Sequence, residues 1–239
     1  MFCERTSLAG APVLLWGQGA PYRGTVFLYH GLGASKETNE KELRALASRG
    51  FLAIGVDAVG HGDRRCPDFE SRMGGPDSHQ EFLTMVRATA DELPLLWSDL
   101  RSKSGGLGEL GVCGISMGGC ITFAAACNST LIKAAAPILG SPDWSLGGLR
   151  PTSKEWWQDS PHHTPEWFPP VALLVQNAGL DVNVPPQPAR DFIREASRYY
   201  GHAQERLKYF EYPDSDHFMN AMDWEILWAR VVGWFERFL

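Results

Sequence analysis

The chain has 239 residues, of which 44% are hydrophobic and 21% are charged, and its formal net charge at pH 7 is −6. A chain of this length and composition is typical of one globular domain whose core is large enough to be stable without disulfides or metals. The negative charge argues against nucleic acid or an anionic membrane surface as the main partner, and no apolar run approaches the roughly 20 residues of a membrane span.

Short apolar runs of β type alternate with helical patterns along the chain. This alternation predicts an α/β fold in which helices cover both faces of a mostly parallel central sheet. Pro12–Trp16 is predicted to be an antiparallel edge strand. The other predicted strands, in chain order, are Thr25–Tyr29, Leu52–Asp57, Leu110–Ile115, Ala134–Leu139, Val171–Gln176 and Leu207–Tyr212. The internal strands among them are nearly continuous hydrophobic runs, as expected where both faces of a parallel strand are buried.

The intervals between the strands carry helical patterns. The first predicted helix, residues 39–49, begins with an N-cap at Asn39 that Glu42 complements three residues later. A longer helix is predicted from about Ser78 to Ser102, with a kink at Pro94. The last helix is indicated by apolar residues at spacings of four, three and four, which predicts docking on the sheet. These residues are Leu227, Val231, Trp234 and Phe238.

Residues 141–170 interrupt the alternation of strands and helices. The segment contains many prolines and a concentration of aromatic side chains, among them Trp144, Trp156, Trp157 and Trp167. A stretch of this kind between two strands is either a loop packed on the domain or a lid over a site. We therefore predict a single domain over residues 1–239, with a lid or insertion at 141–170.

The cysteines and the N-terminal residues bear on cofactors and compartment. The five cysteines form no CxxC pair, and no cluster of histidines completes a zinc site. Free thiols in a reducing compartment are the expectation. The first residues lack the basic and apolar stretches of a secretory signal peptide, so we expect a cytoplasmic protein. No metal and no organic cofactor is implied.

Residues 114–119, Gly-Ile-Ser-Met-Gly-Gly, follow an apolar strand directly and precede a helix of small residues. A serine held in a sharp strand-to-helix turn needs neighbours without side chains, so that strand and helix can close on each other. The turn exposes the Ser116 hydroxyl at a helix N-terminus, whose dipole favours developing negative charge. Ser116 is therefore the candidate nucleophile.

A serine nucleophile needs a general base, and the base needs an orienting group. His217 follows the last predicted strand, so it is expected at the same edge of the sheet as Ser116. Asp181 follows the preceding strand and is the predicted orienting acid. Asp143, which follows the strand before that, remains an alternative acid.

Acyl transfer also requires hydrogen-bond donors for a developing oxyanion. Residues 29–35, Tyr-His-Gly-Leu-Gly-Ala-Ser, follow a strand and lead towards a helix, which places free backbone N–H groups at the catalytic edge. The predicted donors are the backbone N–H groups of Leu32 and Met117. A further loop after a strand, residues 57–64, is interpreted as a glycine-rich turn fixed by hydrogen bonds.

Over nearly its whole length the chain resembles the α/β-hydrolase superfamily, and within it the small bacterial esterases related to dienelactone hydrolases and to the peptidase domain of prolyl oligopeptidases. The resemblance rests on the order Ser116, Asp181, His217 and on several motifs. These are His30–Gly33, Asp57–Gly62 in the pattern D-x-x-G-H-G, Gly114–Gly119, Gly179–Asp181 with Val184-Pro185, and Asp216-His217. Two features differ from these relatives. A dienelactone hydrolase proper has a cysteine nucleophile, and relatives often carry a His-Gly or similar pair where this chain has Asn177-Ala178-Gly179.

The motifs and the resemblance together imply a serine hydrolase that cleaves a small or medium carboxylic ester, with a small-molecule acyl substrate as its partner. The four tryptophans of residues 141–170 are either an aromatic roof over an apolar acyl group or the packing of a long loop. A thioester, a lactone or a short peptide remains an alternative substrate for the same residues. A non-hydrolytic enzyme or a non-catalytic binding protein on the same scaffold is the remaining alternative.

Overall fold

An eight-stranded sheet lies at the centre of the described part of the chain, which comprises residues 1–127, 129–145 and 159–239 of a computed structural model. The strands are β1 (Phe2–Leu8), β2 (Ala11–Gly17), β3 (Gly24–Tyr29), β4 (Leu52–Val56), β5 (Glu109–Ile115), β6 (Ile132–Ile138), β7 (Ala172–Ala178) and β8 (Leu207–Tyr212). They lie in the order β1-β2-β4-β3-β5-β6-β7-β8. Strands β3 to β8 are parallel to one another, whereas β1 and β2 are antiparallel to their neighbours.

Helices cover both faces of this sheet. The α-helices of the described residues are α1 (Glu40–Ser48), α2 (Phe69–Met73), α3 (Ser78–Lys103), α4 (Met117–Ala126), α5 (Gln187–Ala196) and α6 (Ala221–Phe238). Short 3-10 helices span Gly62–Arg64, Pro161–His163, Pro165–Trp167 and Gln204–Arg206. None of the helices in the described ranges has the length and apolar character needed to cross a bilayer.

The core consists of two apolar layers, one on each face of the sheet. Successive residues of β3 alternate between them: Phe27 and Tyr29 pack with α3, α4 and α5, whereas Val26 and Leu28 pack with α1 and α6. This alternation follows from the period of two along a strand. The predicted α/β fold, a mostly parallel sheet with helices on both faces, is confirmed.

The prediction that Pro12–Trp16 lies at the sheet edge is wrong. This run is β2, and β1 pairs with it along its whole length, from Phe2 opposite Gly17 to Leu8 opposite Ala11. Six of the seven residues of β1 are exposed, so its sequence lacks the apolar alternation by which a half-buried strand is recognised.

The prediction that the Asn39 side chain caps the first helix is also wrong. Asn39 precedes α1, but its side chain makes no capping hydrogen bond, because its backbone (φ −106°, ψ 35°) lies outside the extended region that a capping residue adopts. Asn220 has an extended backbone and caps α6, where its Oδ1 accepts a hydrogen bond of 2.9 Å from the N–H of Asp223. The long helix is confirmed as α3, with Pro94 inside it.

Candidate active site

Ser116 lies in the turn between β5 and α4 with φ 58° and ψ −115°, a conformation that costs an L-residue of order 1–3 kcal/mol. Two glycines make the turn possible. A Cβ on Gly114 would lie 2.2 Å from the carbonyl oxygen of Gly118, and a Cβ on Gly118 would lie 2.1 Å from the carbonyl oxygen of Tyr29. The Ser116 N–H donates to Ile138 O at 2.9 Å. Strands β3, β5 and β6 therefore hold the strained turn together.

The structure brings Ser116, His217 and Asp181 into one chain of hydrogen bonds. His217 Nδ1 lies 2.7 Å from Asp181 Oδ2, and His217 Nε2 lies 2.9 Å from Ser116 Oγ. A carboxylate only accepts, so Nδ1 carries the proton and Nε2 of the neutral ring is free to accept the serine proton. This arrangement is able to withdraw a proton from the Ser116 hydroxyl.

The Asp181 side chain is buried, and both of its carboxylate oxygens have donors. Oδ2 faces His217, while Oδ1 accepts hydrogen bonds of 2.9 and 2.8 Å from the N–H groups of Asn183 and Val184. The backbone of the loop after β7 thus fixes the carboxylate and leaves one oxygen aimed at the imidazole.

The loops that carry Asp181 and His217 are joined by backbone hydrogen bonds. Gly179 N–H donates to Tyr212 O at 2.8 Å, and Leu180 N–H donates to Ser215 O at 2.9 Å. Both loops follow parallel strands, β7 and β8, and they therefore emerge at the same edge of the sheet as Ser116.

Asp143, the alternative acid, lies in a different hydrogen-bond network. Its Oδ1 accepts from the backbone N–H and the hydroxyl of Ser145, and it lies 3.5 Å from His162 Nδ1. His162 Nδ1 in turn lies 2.8 Å from Ser160 Oγ. Of the two candidate acids, Asp181 is the one that the structure places against His217.

The loop after β3 lies beside the nucleophile. A Cβ on Gly31 would lie 3.7 Å from Ser116 Cβ, and Gly31 and Leu32 line the same cavity as Ser116 and Met117. His30, at the start of this loop, is buried, and burial lowers its pKa from the ordinary value to about 4. The two backbone segments predicted to supply oxyanion donors therefore adjoin the Ser116 hydroxyl.

Ser116 opens into a cavity of about 1030 Å³. Its described lining residues are Gly31, Leu32, Ala34, Thr38, Asn39, Met73, Ser78, His79, Phe82, Ile115, Ser116, Met117, Leu139, Asn183, Val184, His217, Phe218, Met219, Ala221 and Trp224. None of these described residues is an aspartate, glutamate, lysine or arginine. The described lining is therefore largely apolar, with hydroxyl, amide and imidazole groups as its polar side chains.

The predicted tryptophan roof is corrected by the structure where it is described. Trp144 is buried in the core, Trp167 is half exposed, and neither lines the cavity at Ser116. The Trp144 carbonyl oxygen does contact the cavity wall, because it lies 2.8 Å from His79 Nε2. Trp156 and Trp157 lie outside the described residues.

The aromatic residues that do line the cavity were not predicted from the sequence. They are Phe82 on α3, Phe218 beside His217 and Trp224 in the first turn of α6. Trp224 Nε1 donates to Glu42 at 3.0 Å, and its ring stacks on Trp228. Phe218 and Trp224 are close to His217 in the sequence, which could have indicated that they line the cavity. No feature of the sequence indicated this for Phe82.

Comparison with known proteins agrees with this fold. A Bacillus subtilis protein named "Putative esterase YitV" is 26% identical over 237 residues, covering 90% of this chain and 89% of its own. TT1662 from Thermus thermophilus superposes with a TM-score of 0.81 at 22% identity, covering 98% of each chain. A Klebsiella pneumoniae structure titled "Putative Dienelactone Hydrolase" superposes with a TM-score of 0.75 at 19% identity, covering 99% of each chain.

The resemblance to α/β-hydrolases found in the motifs is thereby confirmed. The family described as Hydrolase_4, "Serine aminopeptidase, S33", matches residues 20–160, which is more than half of the chain. The segment includes the loop after β3, the Ser116 turn and the strands that position them. The chain is a hydrolase of the α/β-hydrolase fold and belongs to the Hydrolase_4 family.

Proposed function

We propose that the protein is a serine carboxylesterase that works through an acyl-enzyme. Ser116 Oγ attacks the ester carbonyl while His217 Nε2 takes its proton, and Asp181 holds the imidazole in the required tautomer. His217 then returns the proton to the leaving alcohol. Water, activated by the same histidine, attacks the acyl-enzyme and releases the acid.

The observation that carries this proposal is the polarity of the hydrogen bonds through His217. Asp181 at 2.7 Å commits Nδ1 to donation, and Ser116 Oγ lies 2.9 Å from the remaining acceptor. If Ser116 had only a structural role, an unstrained turn would hold it equally well. Strain of this kind persists where it serves a site.

The oxyanion is assigned to the backbone N–H groups of Leu32 and Met117. Both residues line the cavity beside Ser116, and the Met117 N–H belongs to the first turn of α4. N–H groups of the first helical turn have no intrahelical acceptor, which leaves them available to an anion. Each such donor contributes about 3–4 kcal/mol to the stabilisation of the tetrahedral intermediate.

The described cavity lining favours an ester over an N-terminal peptide. An aminopeptidase substrate brings an ammonium group, which requires a carboxylate or several acceptors when it is taken from water. Among the described residues the lining has no acidic side chain, and its acceptors are the uncharged groups of Thr38, Asn39, Ser78 and Asn183 beside a majority of apolar side chains. A carboxylic ester with apolar groups needs no such partner. Thioesters and lactones meet the same condition and remain the alternative substrates.

We propose that residues 141–170 are an insertion within a single domain. The described portion adjoins the cavity through the hydrogen bond between His79 and the Trp144 carbonyl oxygen, at 2.8 Å. We propose that the insertion supports the α3 wall of the cavity through this contact.

The test is hydrolysis of p-nitrophenyl esters from acetate to laurate by the wild type, Ser116→Ala and Ser160→Ala. Ser160 is the matched control, because its Oγ also lies within hydrogen-bond distance of a histidine, at 2.8 Å. We expect Ser116→Ala to lose turnover by more than about 10⁴-fold and Ser160→Ala to retain kcat. Amino-acid p-nitroanilides should not be cleaved. Turnover that survives in Ser116→Ala, or faster cleavage of the anilides than of the esters, would refute the proposal.

A further inference from the structure

The imidazole of His30 is committed to two backbone groups. Its Nδ1 lies 2.8 Å from the carbonyl oxygen of Gly31, and its Nε2 lies 3.1 Å from the backbone nitrogen of Ala58. A carbonyl oxygen only accepts and an N–H only donates, so Nδ1 carries the proton and Nε2 is the acceptor. His30 therefore receives a hydrogen bond from the loop after β4 and passes one to the loop after β3.

The bond to Gly31 acts on the peptide group that carries the proposed oxyanion donor. The Gly31 carbonyl and the Leu32 N–H belong to the same planar unit and point in opposite directions. Fixing the carbonyl oxygen therefore fixes the direction of the N–H. The hydrogen bond also polarises the peptide group, which strengthens the N–H as a donor.

A second contact holds the other end of the same loop. Asp57 Oδ1 accepts from the Lys36 N–H at 2.8 Å, and Oδ2 accepts from Lys36 Nζ at 2.9 Å and from the Asp63 N–H at 2.9 Å. Asp57 is completely buried, and a Cβ on Gly62 would lie 2.0 Å from its carboxylate. The loop after β4 thus supports the loop after β3 at both His30 and Lys36.

We propose that His30 is a positioning residue that sets the orientation of the Leu32 oxyanion donor by holding the Gly31 carbonyl. The inference rests on the proposed function, since the Leu32 donor is part of it. His30 acts through the peptide and does not touch the substrate, because both of its ring nitrogens are already hydrogen-bonded. The motif D-x-x-G-H-G, which begins at Asp57, accordingly serves as the support of the oxyanion loop.

Two substitutions separate the two hydrogen bonds of His30. In His30→Asn the amide nitrogen occupies the place of Nδ1 and can donate to Gly31, but it does not reach Ala58. In His30→Gln the amide reaches the place of Nε2 and can bond Ala58, but the Gly31 carbonyl keeps only the 3.2 Å hydrogen bond from the Ala34 N–H. Asparagine leaves the buried Ala58 N–H without an acceptor, whereas in the glutamine variant the Gly31 carbonyl still accepts from Ala34, so stability and activity are expected to respond in opposite orders.

We expect kcat for p-nitrophenyl butyrate to fall about 10- to 100-fold in His30→Gln, with KM changed by less than about threefold. In His30→Asn kcat should stay within about fivefold of the wild type, since the donor to Gly31 is kept. The thermal midpoint should be higher for His30→Gln than for His30→Asn. His202→Asn, at an exposed turn, is the control for loss of an imidazole and should match the wild type.

The outcomes separate this inference from the proposed function. Ser116→Ala is assayed alongside, and turnover in that variant refutes the proposed function itself. If Ser116→Ala is inactive while kcat of the two His30 variants follows the order of their thermal midpoints, His30 is only structural and the inference is overturned. His30→Ala is a third variant, and should it fail to fold, the comparison of asparagine with glutamine still decides the question.

Discussion

The substitution Asp181→Asn tests the tautomer of His217 with almost no change in shape. Oδ1 of Asp181 accepts from the N–H groups of Asn183 and Val184, so an amide with its nitrogen on that side would leave both N–H groups, of which that of Val184 is buried, without their acceptor. Each unpaired donor costs about 1–3 kcal/mol, which fixes the amide oxygen on the backbone side and the NH₂ group against His217. His217 must then accept at Nδ1 and carry its proton at Nε2, facing Ser116.

An imidazole in this tautomer cannot take the serine proton, and the same exchange in other serine hydrolases lowers kcat by about 10⁴-fold, equivalent to about 5–6 kcal/mol. We expect a loss of this size for p-nitrophenyl butyrate, with KM nearly unchanged. Asp143→Asn is the matched control and should retain kcat within about threefold, since Asp143 contacts Ser145 and His162. A kcat for Asp181→Asn within tenfold of the wild type, or a larger loss in Asp143→Asn, would refute the reasoning.

Three further substitutions or conditions have defined outcomes. Gly118→Ala places a Cβ 2.1 Å from the carbonyl oxygen of Tyr29 and should lower the free energy of unfolding by about 3 kcal/mol or more. A Cβ on Gly233 would meet no atom within 4 Å, so Gly233→Ala should raise the free energy of unfolding by about 0.5–1 kcal/mol. Equal urea midpoints for the two variants would contradict this. Burial lowers the pKa of His30 to about 4, so the unfolded chain is protonated below pH 6.5 while the folded chain is not. The stability contributed by the neutral His30 ring is complete above pH 6.5 and is lost as the pH falls, by up to about 1.4 kcal/mol per pH unit and about 3 kcal/mol by pH 4. Urea unfolding at pH 7.5 and 4.5 measures this loss. A smaller pH effect on the free energy of unfolding in the wild type than in His30→Gln would oppose the assignment. Trp224→Ala removes an aromatic wall of the cavity and should raise the ratio of kcat/KM for laurate over butyrate about 10-fold, which corresponds to about two further methylenes buried at about 0.8 kcal/mol each. Met222→Ala, an exposed neighbour on α6, should leave this ratio unchanged.

The internal strands were the most predictable part of the fold. Each of β3 to β8 lies within two residues of its predicted range at both ends. For β3 to β7 the reason is burial on both faces, which leaves a nearly continuous apolar run in the sequence. β1 was missed for the opposite reason, since its side chains face solvent and its pairing comes from the backbone.

The order of candidate residues after successive strands predicted that Ser116, Asp181 and His217 would meet, and the structure brings them together. Parallel topology alone accounts for this, because the carboxyl ends of the strands share one edge. The choice between Asp181 and Asp143 needed the structure, since both follow a strand and precede His217.

The cavity walls were less predictable than the residues at its base. Phe82 and Trp224 come from helices that pack on opposite faces of the sheet, and no local pattern relates them. The concentration of tryptophans in residues 141–170 suggested an aromatic roof over the cavity, yet Trp144 is part of the core. The hydrogen bond from His30 to the Gly31 carbonyl could not be predicted either, because the ring is oriented by the Ala58 N–H of a second loop.

The hydrogen bonds that join the loops after β7 and β8 have a mechanical consequence. Gly179 and Leu180 tie the segment of Asp181 to that of His217, so the acid and the imidazole are coupled through the backbone. Ser116 follows β5, which is separated from β7 by β6, so those two hydrogen bonds do not fix its position. We therefore expect any loosening of the site to lengthen the 2.9 Å contact between His217 and Ser116 before the 2.7 Å contact between His217 and Asp181.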